Sequence, residues 1–251
     1  MDTLNLLLIL VAYAIVLLIA LALGGHRSVS IASATATRDK PERILIIGAT
    51  GRTGRHLLAQ ALDRGYAVTA FARDPSSIEL RHPRLAIAKG DVLDRASVEA
   101  AMPGHHAVIS ALGHRRYWSL SRTHTEGTRN VLWAMQRHGV RRLVCLTSLG
   151  IGDSAGRLGM PYNLFVIPLV LPIYFWDKAR QERVIAESDI EWIIVRPGSL
   201  NNGVKRERVN TGTRVGSYLW TVRVSRANVA DFMLNQLTSD TYLRSATGLA
   251  W

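Results

Sequence analysis

The sequence is short of cysteine, lysine and acidic residues. Its 251 residues include a single cysteine, Cys145, so no disulfide can form within the chain and a reducing compartment is expected. The 19 acidic residues face 31 basic ones, mostly arginines, which leaves a formal charge of +12. Because the arginines are scattered and lack an aromatic-interleaved or zinc-finger pattern, we expect no specific nucleic-acid partner. Membrane-surface attraction and an anionic cofactor explain the charge better.

Several reaction classes lack their signatures. The chain has no G-x-S-x-G turn, which disfavours a hydrolase of the nucleophile-elbow type. No set of His, Cys and Asp has metal-ligand spacing, so no metal site is expected. Cys145 lies in the apolar run RLVCLTS and is interpreted as a small core residue rather than a nucleophile.

The first forty residues predict a membrane anchor. Residues 4–23 carry no charged side chain, and about twenty apolar residues at a rise of 1.5 Å match a hydrocarbon core of roughly 30 Å. Arg27, Arg38, Lys40 and Arg43 follow this run, which predicts a single-pass protein of the cytoplasmic membrane with its soluble part facing the cytoplasm. A cleaved signal peptide is the alternative, although no Lys or Arg precedes the run.

The anchor, residues 1–24, is followed by a Ser-, Ala- and Thr-rich stretch, 25–42, that is expected to be a flexible linker. The remaining part, 43–251, is expected to form one α/β domain with a small substrate-side region at its C-terminal end. It begins with a buried-strand pattern at 44–47, a glycine-rich turn and a helical pattern from Arg52. Such a helix N-terminus favours a pyrophosphate.

Gly48, Gly51 and Gly54 have the spacing of a dinucleotide-binding turn. The first can make the tight turn, the second lets the backbone approach phosphate, and the third lets helix and strand pack closely. A second strand, 68–72, ends about twenty residues downstream at Arg73, where the residue that distinguishes the ribose is expected. A guanidinium suits a 2′-phosphate, so NADPH is favoured over NADH. The alternative is that Asp74 binds a free 2′-hydroxyl.

Further strand patterns alternate with helical ones along the rest of the chain. This alternation predicts a Rossmann-type, doubly wound parallel sheet whose ligands lie beyond the carboxyl ends of the strands. The residues at those predicted ends are Asp91, Ala111, Leu112, Gly113, Thr147 and Ser148.

The motifs GATGRTG, FARDPSS, GDVLD, LTS, DKARQERVIAESDIEWIIVRPGSL and SRANVADFMLNQL resemble the atypical short-chain dehydrogenase/reductase superfamily, in particular the NAD(P)H-binding, NmrA-like group that includes biliverdin-IX beta reductase (flavin reductase). The resemblance runs from about Arg43 to near the C-terminus. It implies that the cofactor phosphates are held by Gly48, Thr50, Gly51, Arg52, Thr53, Gly54 and Arg73. It further implies adenine contacts at Asp91 and Val92, ribose contacts at Leu112, Gly113 and Lys178, and a position near the nicotinamide for Ser148, with Thr147 and Pro197 as further cofactor-binding candidates.

Many members of this superfamily use a Tyr and a Lys separated by three residues as proton donor and ribose anchor, with a Ser upstream. Tyr174, Lys178 and Ser148 are therefore the catalytic candidates. A nearby ammonium favours the phenolate, and residues four apart share a helix face. Against this, a helix that began only at Asp177, with Asp177 as its N-cap, would not place Tyr174 and Lys178 on one face. Biliverdin-IX beta reductase itself lacks the Tyr, so the alternative role of Tyr174 is packing or membrane contact.

Residues 160–176 form a proline-broken apolar run that is too short to predict a second membrane span. It is expected to be an apolar lid that admits a lipophilic substrate, with a bilayer-contacting surface or plain core as alternatives.

Two functions are consistent with these patterns. The first is a membrane-anchored, NADPH-dependent oxidoreductase that passes hydride to a small-molecule acceptor such as a quinone, a flavin or a tetrapyrrole. The second is a non-catalytic NAD(P)H-binding redox sensor or assembly factor of a membrane complex. The patterns fix neither the substrate nor the oligomeric state.

Overall fold

The computed structural model describes residues 39–113 and 122–251, together with Val11 and Tyr13. The strands of this part are β1 Arg43–Ile47, β2 Ala67–Ala72, β3 Leu85–Lys89, β4 Ala107–Ser110, β5 Arg142–Leu146, β6 Glu191–Pro197, β7 Ser199–Asn201, β8 Asn210–Gly212, β9 Arg223–Ser225 and β10 Ser245–Ala250. The helices are α1 Arg52–Asp63, α2 Arg95–Ala100, α3 Thr123–Arg137, α4 Pro172–Ala186 and α5 Arg226–Asn235, with a π-helical segment at Tyr162–Val170.

Eight strands form one sheet in the order β3-β2-β1-β4-β5-β6-β10-β8. All neighbours pair in parallel except β10 and β8, and a second, parallel pair joins β7 to β9. The predicted Rossmann-type doubly wound sheet is confirmed. The chain reverses its direction of strand addition between β1 and β4, and in such sheets this switch point opens the crevice that receives a ligand.

Both faces of the sheet are covered, because the central strands are apolar on both sides. In β1, Ile44 and Ile46 belong to the layer that contains α1 and α5, whereas Leu45 and Ile47 belong to the layer of α2, α3 and α4. Cys145 is fully buried in the second layer, as predicted, and burial raises the pKa of its thiol to about 11. Cys145 is therefore a core residue that does not ionise near neutral pH.

Among the described residues, no helix has both the length and the apolar character needed to cross a bilayer. The predicted anchor, 1–24, lies outside these residues except for Val11 and Tyr13, and the predicted linker is described only from residue 39. The anchor and its orientation therefore stay predictions.

The apolar run 160–176 folds into the π-helical segment and the first turn of α4. Helix α4 begins at Pro172, because the fixed φ of proline and its missing N–H suit the first position of a helix. The alternative in which this helix begins at Asp177 is wrong. Tyr174 and Lys178 thus lie one turn apart on the same helix.

We expect Gly54→Ala to destabilise the domain, because a β-carbon there would lie 2.0 Å from the carbonyl oxygen of Gly48. Relief requires α1 to move away from β1, and overpacking of this kind costs roughly 1–3 kcal/mol or more. Chemical denaturation of the full chain measures the loss. Gly113→Ala is the control, because a β-carbon at Gly113 meets nothing within 4 Å. Equal stability of the two variants would contradict the packing role.

Candidate cofactor and substrate site

The turn between β1 and α1 lies at the switch point, where its backbone closely approaches the chain just beyond β4. Gly48 has a φ of +80°, and a β-carbon on it would lie 2.5 Å from the carbonyl oxygen of Ala111 at the end of β4. Only glycine fits such a close approach in a left-handed conformation. The amide of Gly51 donates to the carbonyl of Gly48 at 3.0 Å, which closes the turn just before α1.

The N-terminus of α1 is suited to an anion. Gly51 is its N-cap and supplies no side-chain cap, and the first turn holds no acidic residue. Gly51 and Arg52 are exposed and Thr50 is half-buried, whereas the Thr53 side chain is only 7% exposed. Thr53 would therefore meet a phosphate through its backbone N–H rather than its hydroxyl. Exposed amides at a helix start fit the pyrophosphate of a dinucleotide cofactor.

Arg73 and Asp74 follow β2, which is the neighbour of β1 in the sheet. Arg73 is exposed. Asp74 caps the short turn Pro75–Ser77, where its carboxylate accepts from the amide and the hydroxyl of Ser76 at 3.0 and 2.6 Å. These bonds lower the pKa of Asp74. Since the Asp74 carboxylate is engaged locally, the geometry favours Arg73 over Asp74 as the residue that meets the ribose substituent.

Asp91 and Val92 lie beyond β3, and the structure gives them different roles. The half-buried Asp91 carboxylate accepts from the amide of Leu93 at 3.0 Å and so shapes the loop. The Val92 side chain is 6% exposed and packs where Gly127 of α3 leaves room. An adenine contact at Val92 would therefore use the backbone rather than the side chain.

The polar face of α4 is buried against the strand ends and α3. Asp177 is 1% exposed and accepts four hydrogen bonds from the first turn of α3: two from the amide and Nδ1 of His124, at 2.9 and 2.8 Å, and two from the amide and hydroxyl of Thr125, at 3.1 and 2.5 Å. Burial raises the pKa of Asp177, but the bonds from His124 and Thr125 outweigh it and lower the pKa to about 2. Asp177 thus caps α3 from a different helix, and the sequence-based alternative that it caps its own helix is wrong.

Lys178 is 1% exposed, and its ammonium donates to the carbonyls of Leu112 at 3.2 Å and Leu146 at 3.0 Å. Leu112 lies in the loop after β4, and Leu146 is the last residue of β5. Lys178 therefore links the carboxyl ends of two neighbouring strands at the base of the crevice. Burial lowers the pKa of Lys178 to about 8, which places its protonation equilibrium near the working range of a proton-transfer group. A direct contact between Lys178 and the ribose stays a prediction.

The next turn of α4 continues this network. Glu182 accepts from the hydroxyl of Thr147 at 2.5 Å and from Arg196 at 3.0 and 2.6 Å, and Arg196 also pairs with Asp153. Gln181 donates to the hydroxyl of Thr128 at 2.9 Å. The Thr147 hydroxyl, predicted to lie near the cofactor, is thus engaged by Glu182. Breaking one partner of such a buried pair leaves an uncompensated charge.

The remaining predicted residues line the carboxyl ends of β4, β5 and β6. Ser148 is half-buried, and its hydroxyl donates to the carbonyl of Leu149 at 2.9 Å. Gly113 is exposed, and a β-carbon on it would meet none of the described residues within 4 Å. Pro197 is buried, and its carbonyl accepts from the amide of Leu149 at 3.0 Å. The half-buried Tyr174 packs edge-on against His124, with ring centroids 5.1 Å apart.

Sequence reasoning missed two residues of this region. His124 is fully buried between Asp177 and Tyr174, and Tyr162 exchanges a hydrogen bond of 2.9 Å with Ser199 across the substrate side. The signal for His124 was weak, because a single histidine at the start of a helical pattern is usually a satisfied core residue. Tyr162 was hidden in an apolar run whose fold the sequence left open.

A family model described as NAD(P)H-binding matches residues 48–240. The match begins at the first glycine of the β1–α1 turn and extends beyond α5.

The chain is similar in sequence to several curated proteins, of which two are described here. An uncharacterized chloroplastic protein of Arabidopsis thaliana is 32% identical over 65% of this chain and 61% of its own length. A Mycobacterium tuberculosis protein named 3 beta-hydroxysteroid dehydrogenase/Delta 5→4-isomerase is 36% identical over 63% of this chain and 47% of its own length. The chain therefore spans less than two thirds of either relative.

Among solved structures, a short-chain dehydrogenase/reductase of Veillonella parvula in complex with NADP superimposes with a TM-score of 0.69. It is 18% identical, and the similarity covers 84% of this chain and 95% of the other. At this identity the similarity establishes a shared fold.

We expect Asp177→Asn to lower the free energy of unfolding at neutral pH. The pKa of Asp177 is lowered in the folded protein, so its contribution is present above the unfolded value of about 3.9 and is lost as the pH falls toward about 2. For such a shift the contribution is of order 2–3 kcal/mol. Urea denaturation between these pH values measures the free energy of unfolding. We expect this free energy to change less with pH in Asp177→Asn than in the wild type.

The exposed Asp39→Asn is the matched control for loss of one carboxylate. An unchanged pH dependence in Asp177→Asn would contradict the capping role of Asp177.

Proposed function

Given that the chain belongs to the NAD(P)H-binding family of atypical short-chain dehydrogenase/reductase oxidoreductases, we propose that it is a membrane-anchored, NADPH-dependent enzyme that reduces a lipophilic or planar acceptor. The observation that carries the proposal is the uncapped N-terminus of α1 at the switch point, with Arg73 at the end of the neighbouring strand. NADPH supplies the hydride when it is bound, and the protein supplies orientation and electrostatics.

The preference for NADPH is supported by the different engagement of Arg73 and Asp74. The exposed guanidinium of Arg73 suits a dianionic 2′-phosphate, whereas the Asp74 carboxylate is occupied by Ser76. The Veillonella parvula relative in complex with NADP is consistent with this choice.

In the proposed site, Tyr174 donates the proton to the acceptor, and Lys178 holds the loop carbonyls that border the crevice. Ser148 orients the nicotinamide or polarises the acceptor. The buried His124 lies edge-on to Tyr174 and is bonded to Asp177, so it positions the phenol. The apolar surroundings of Tyr174, which include Leu171 and Phe175, favour a lipophilic acceptor over a charged one.

The proposed anchor is the uncharged stretch 4–23, which places the domain on the cytoplasmic face of the cytoplasmic membrane. An anchored domain would meet acceptors that partition into lipid, such as quinones. The steroid named for the Mycobacterium tuberculosis relative is also a lipophilic compound.

A non-catalytic sensor is the second candidate, and one observation favours it. The side chains of Ser148, Thr147 and Lys178 are all engaged by groups of the protein itself. A sensor needs the cofactor site but not these groups as reactants.

We expect Arg73→Ala to weaken NADPH binding by roughly tenfold to a hundredfold and to leave NADH binding nearly unchanged, because a charge-assisted hydrogen bond to phosphate is lost. Fluorescence titration of the full chain with both nucleotides at fixed salt measures the effect. Arg141→Ala, at the opposite ends of the strands and 80% exposed, removes the same charge as a control. Equal losses for NADPH and NADH would contradict the assignment of Arg73.

Turnover with a panel of quinones, flavins and tetrapyrroles separates the enzyme from the sensor. We expect Tyr174→Phe to lower kcat by roughly 10²–10⁴-fold, as for the loss of a general acid, with the NADPH dissociation constant unchanged. Tyr66→Phe, just before β2 and so at the opposite ends of the strands, is the control. If Tyr174→Phe retained full turnover, Tyr174 would not be the proton donor. If the wild type bound NADPH but reduced no acceptor, the sensor would be favoured.

A further inference from the structure

Most of the exposed large apolar side chains of the described residues lie in two segments that are distant in sequence, whereas Leu80, Leu93 and Val204 are exposed singly elsewhere. We name the surface that the two segments form the apolar face. Its members are Met160, Phe165, Leu169, Val170, Trp176, Tyr218, Leu219 and Trp220. The most exposed are Trp220 at 76%, Leu169 at 60% and Phe165 at 59%. Contiguous exposure of this kind marks an interaction surface rather than ordinary surface variation.

The two segments meet directly. Leu158 and Ser217 form a β-bridge, and the amide of Met160 donates to the carbonyl of Leu219 at 3.2 Å. At Gly159, a β-carbon would lie 2.6 Å from backbone atoms of Trp220, so the chains touch where glycine leaves room. The apolar face is therefore built into the fold by backbone contacts.

The π-helical segment Tyr162–Val170 has no fully buried residue and no charged one. A helix without a polar face is normally enclosed by a core or by lipid. In the described part of the chain the protein covers this segment only partly: Ile167 packs on the cluster of Leu149 and Leu158, while Phe165 and Leu169 point outward.

The exposed charged residues within the two segments are basic, and the acidic Glu187 lies outside them, in the surface pocket beside Trp176. Within residues 155–181 and 213–224 the acidic residue is Asp177, which is buried, whereas Arg157, Arg180, Arg214 and Arg223 are at least partly exposed. The Arg180 guanidinium lies 4.6 Å from the ring centroid of Trp176. Tryptophan, tyrosine and arginine at the rim of an apolar surface are typical of the layer where lipid head groups meet acyl chains.

We propose that the apolar face rests in the interfacial layer of a bilayer that contains anionic lipids. A second copy of the chain fits less well, since self-association through this face would bring the same arginines together. The Tyr13 hydroxyl donates to the carbonyl of Leu164 at 2.7 Å, which puts a residue of the uncharged stretch 4–23 against the same segment. Tyr13 of the uncharged stretch thus contacts the segment that carries Phe165 and Leu169.

The location of the apolar face gives it a role. The segment 160–176 follows the carboxyl end of β5, where ligands of this fold lie, and the segment 218–220, between β8 and β9, contacts it at Met160. Tyr162, inside the π-helical segment, bonds to Ser199 just beyond β6. A lipophilic acceptor would pass from the bilayer to the crevice without crossing water. This last step alone rests on the proposed function.

Quenching by brominated lipids tests the docking. The full chain is reconstituted in vesicles of phosphatidylcholine and phosphatidylglycerol whose acyl chains carry bromine, which quenches tryptophan fluorescence on contact. The quenched fraction of the fluorescence is then compared among Trp176→Phe, Trp220→Phe and the wild type. We expect both substitutions to lower the quenched fraction. Trp133→Phe is the control, because Trp133 is stacked on Arg95, with ring centroid and guanidinium 3.5 Å apart, on the α2–α3 side. Loss of Trp133 should raise the quenched fraction or leave it unchanged.

A quenched fraction that neither Trp176→Phe nor Trp220→Phe lowers would overturn the proposal. So would a change in sedimentation of Trp220→Phe without a change in quenching, since it would identify a second copy as the occupant. Equal quenching in phosphatidylcholine alone would overturn the anionic-lipid part. NADPH titration of the same preparations keeps the two ideas apart, because loss of nucleotide binding and loss of lipid contact are measured separately.

Discussion

The carboxylate of Asp177 is the contact on which the geometry of the candidate site depends. Its hydrogen bonds to the first turn of α3 fix the position of α4 relative to α3. The neighbouring Lys178 then reaches the carbonyls of Leu112 and Leu146, and Glu182 reaches Thr147 and Arg196. These side chains are buried. Losing one partner therefore leaves the other as an unpaired polar group in an apolar environment, which is costly.

This network explains why the polar residues of the motif DKARQE lie inside the protein. Asp177, Lys178, Gln181 and Glu182 do not need to touch a substrate to be constrained, because each bonds to other parts of the fold. They join the loop after β4, the end of β5 and the end of β6 into one rigid floor. A rigid floor holds bound groups in a fixed orientation, which is the contribution expected from a protein whose hydride chemistry belongs to its cofactor.

The sequence was a good guide wherever structure is decided locally. The strand, glycine turn and helix from Arg43 to Asp63 follow from apolar runs and from glycines whose β-carbons would collide with backbone. It was a poor guide to contacts across the sheet, because nothing local says that α4 lies beside the start of α3. The alternative in which Asp177 caps its own helix was wrong for this reason. The exposed segment 218–220 was missed for a related reason: three apolar residues show no period, and only the bridge to Leu158 reveals their neighbours.

The position of Cys145 has a practical consequence. The sole sulfhydryl of the chain is inside the sheet, next to the amide of Gln181, and it stays protonated at ordinary pH. Alkylating reagents and mild oxidants that act on thiolates should therefore not react with Cys145 in the folded protein. An engineered surface cysteine would then be the single reactive handle, so a spin label or fluorophore can be placed at any chosen position without first removing the native residue.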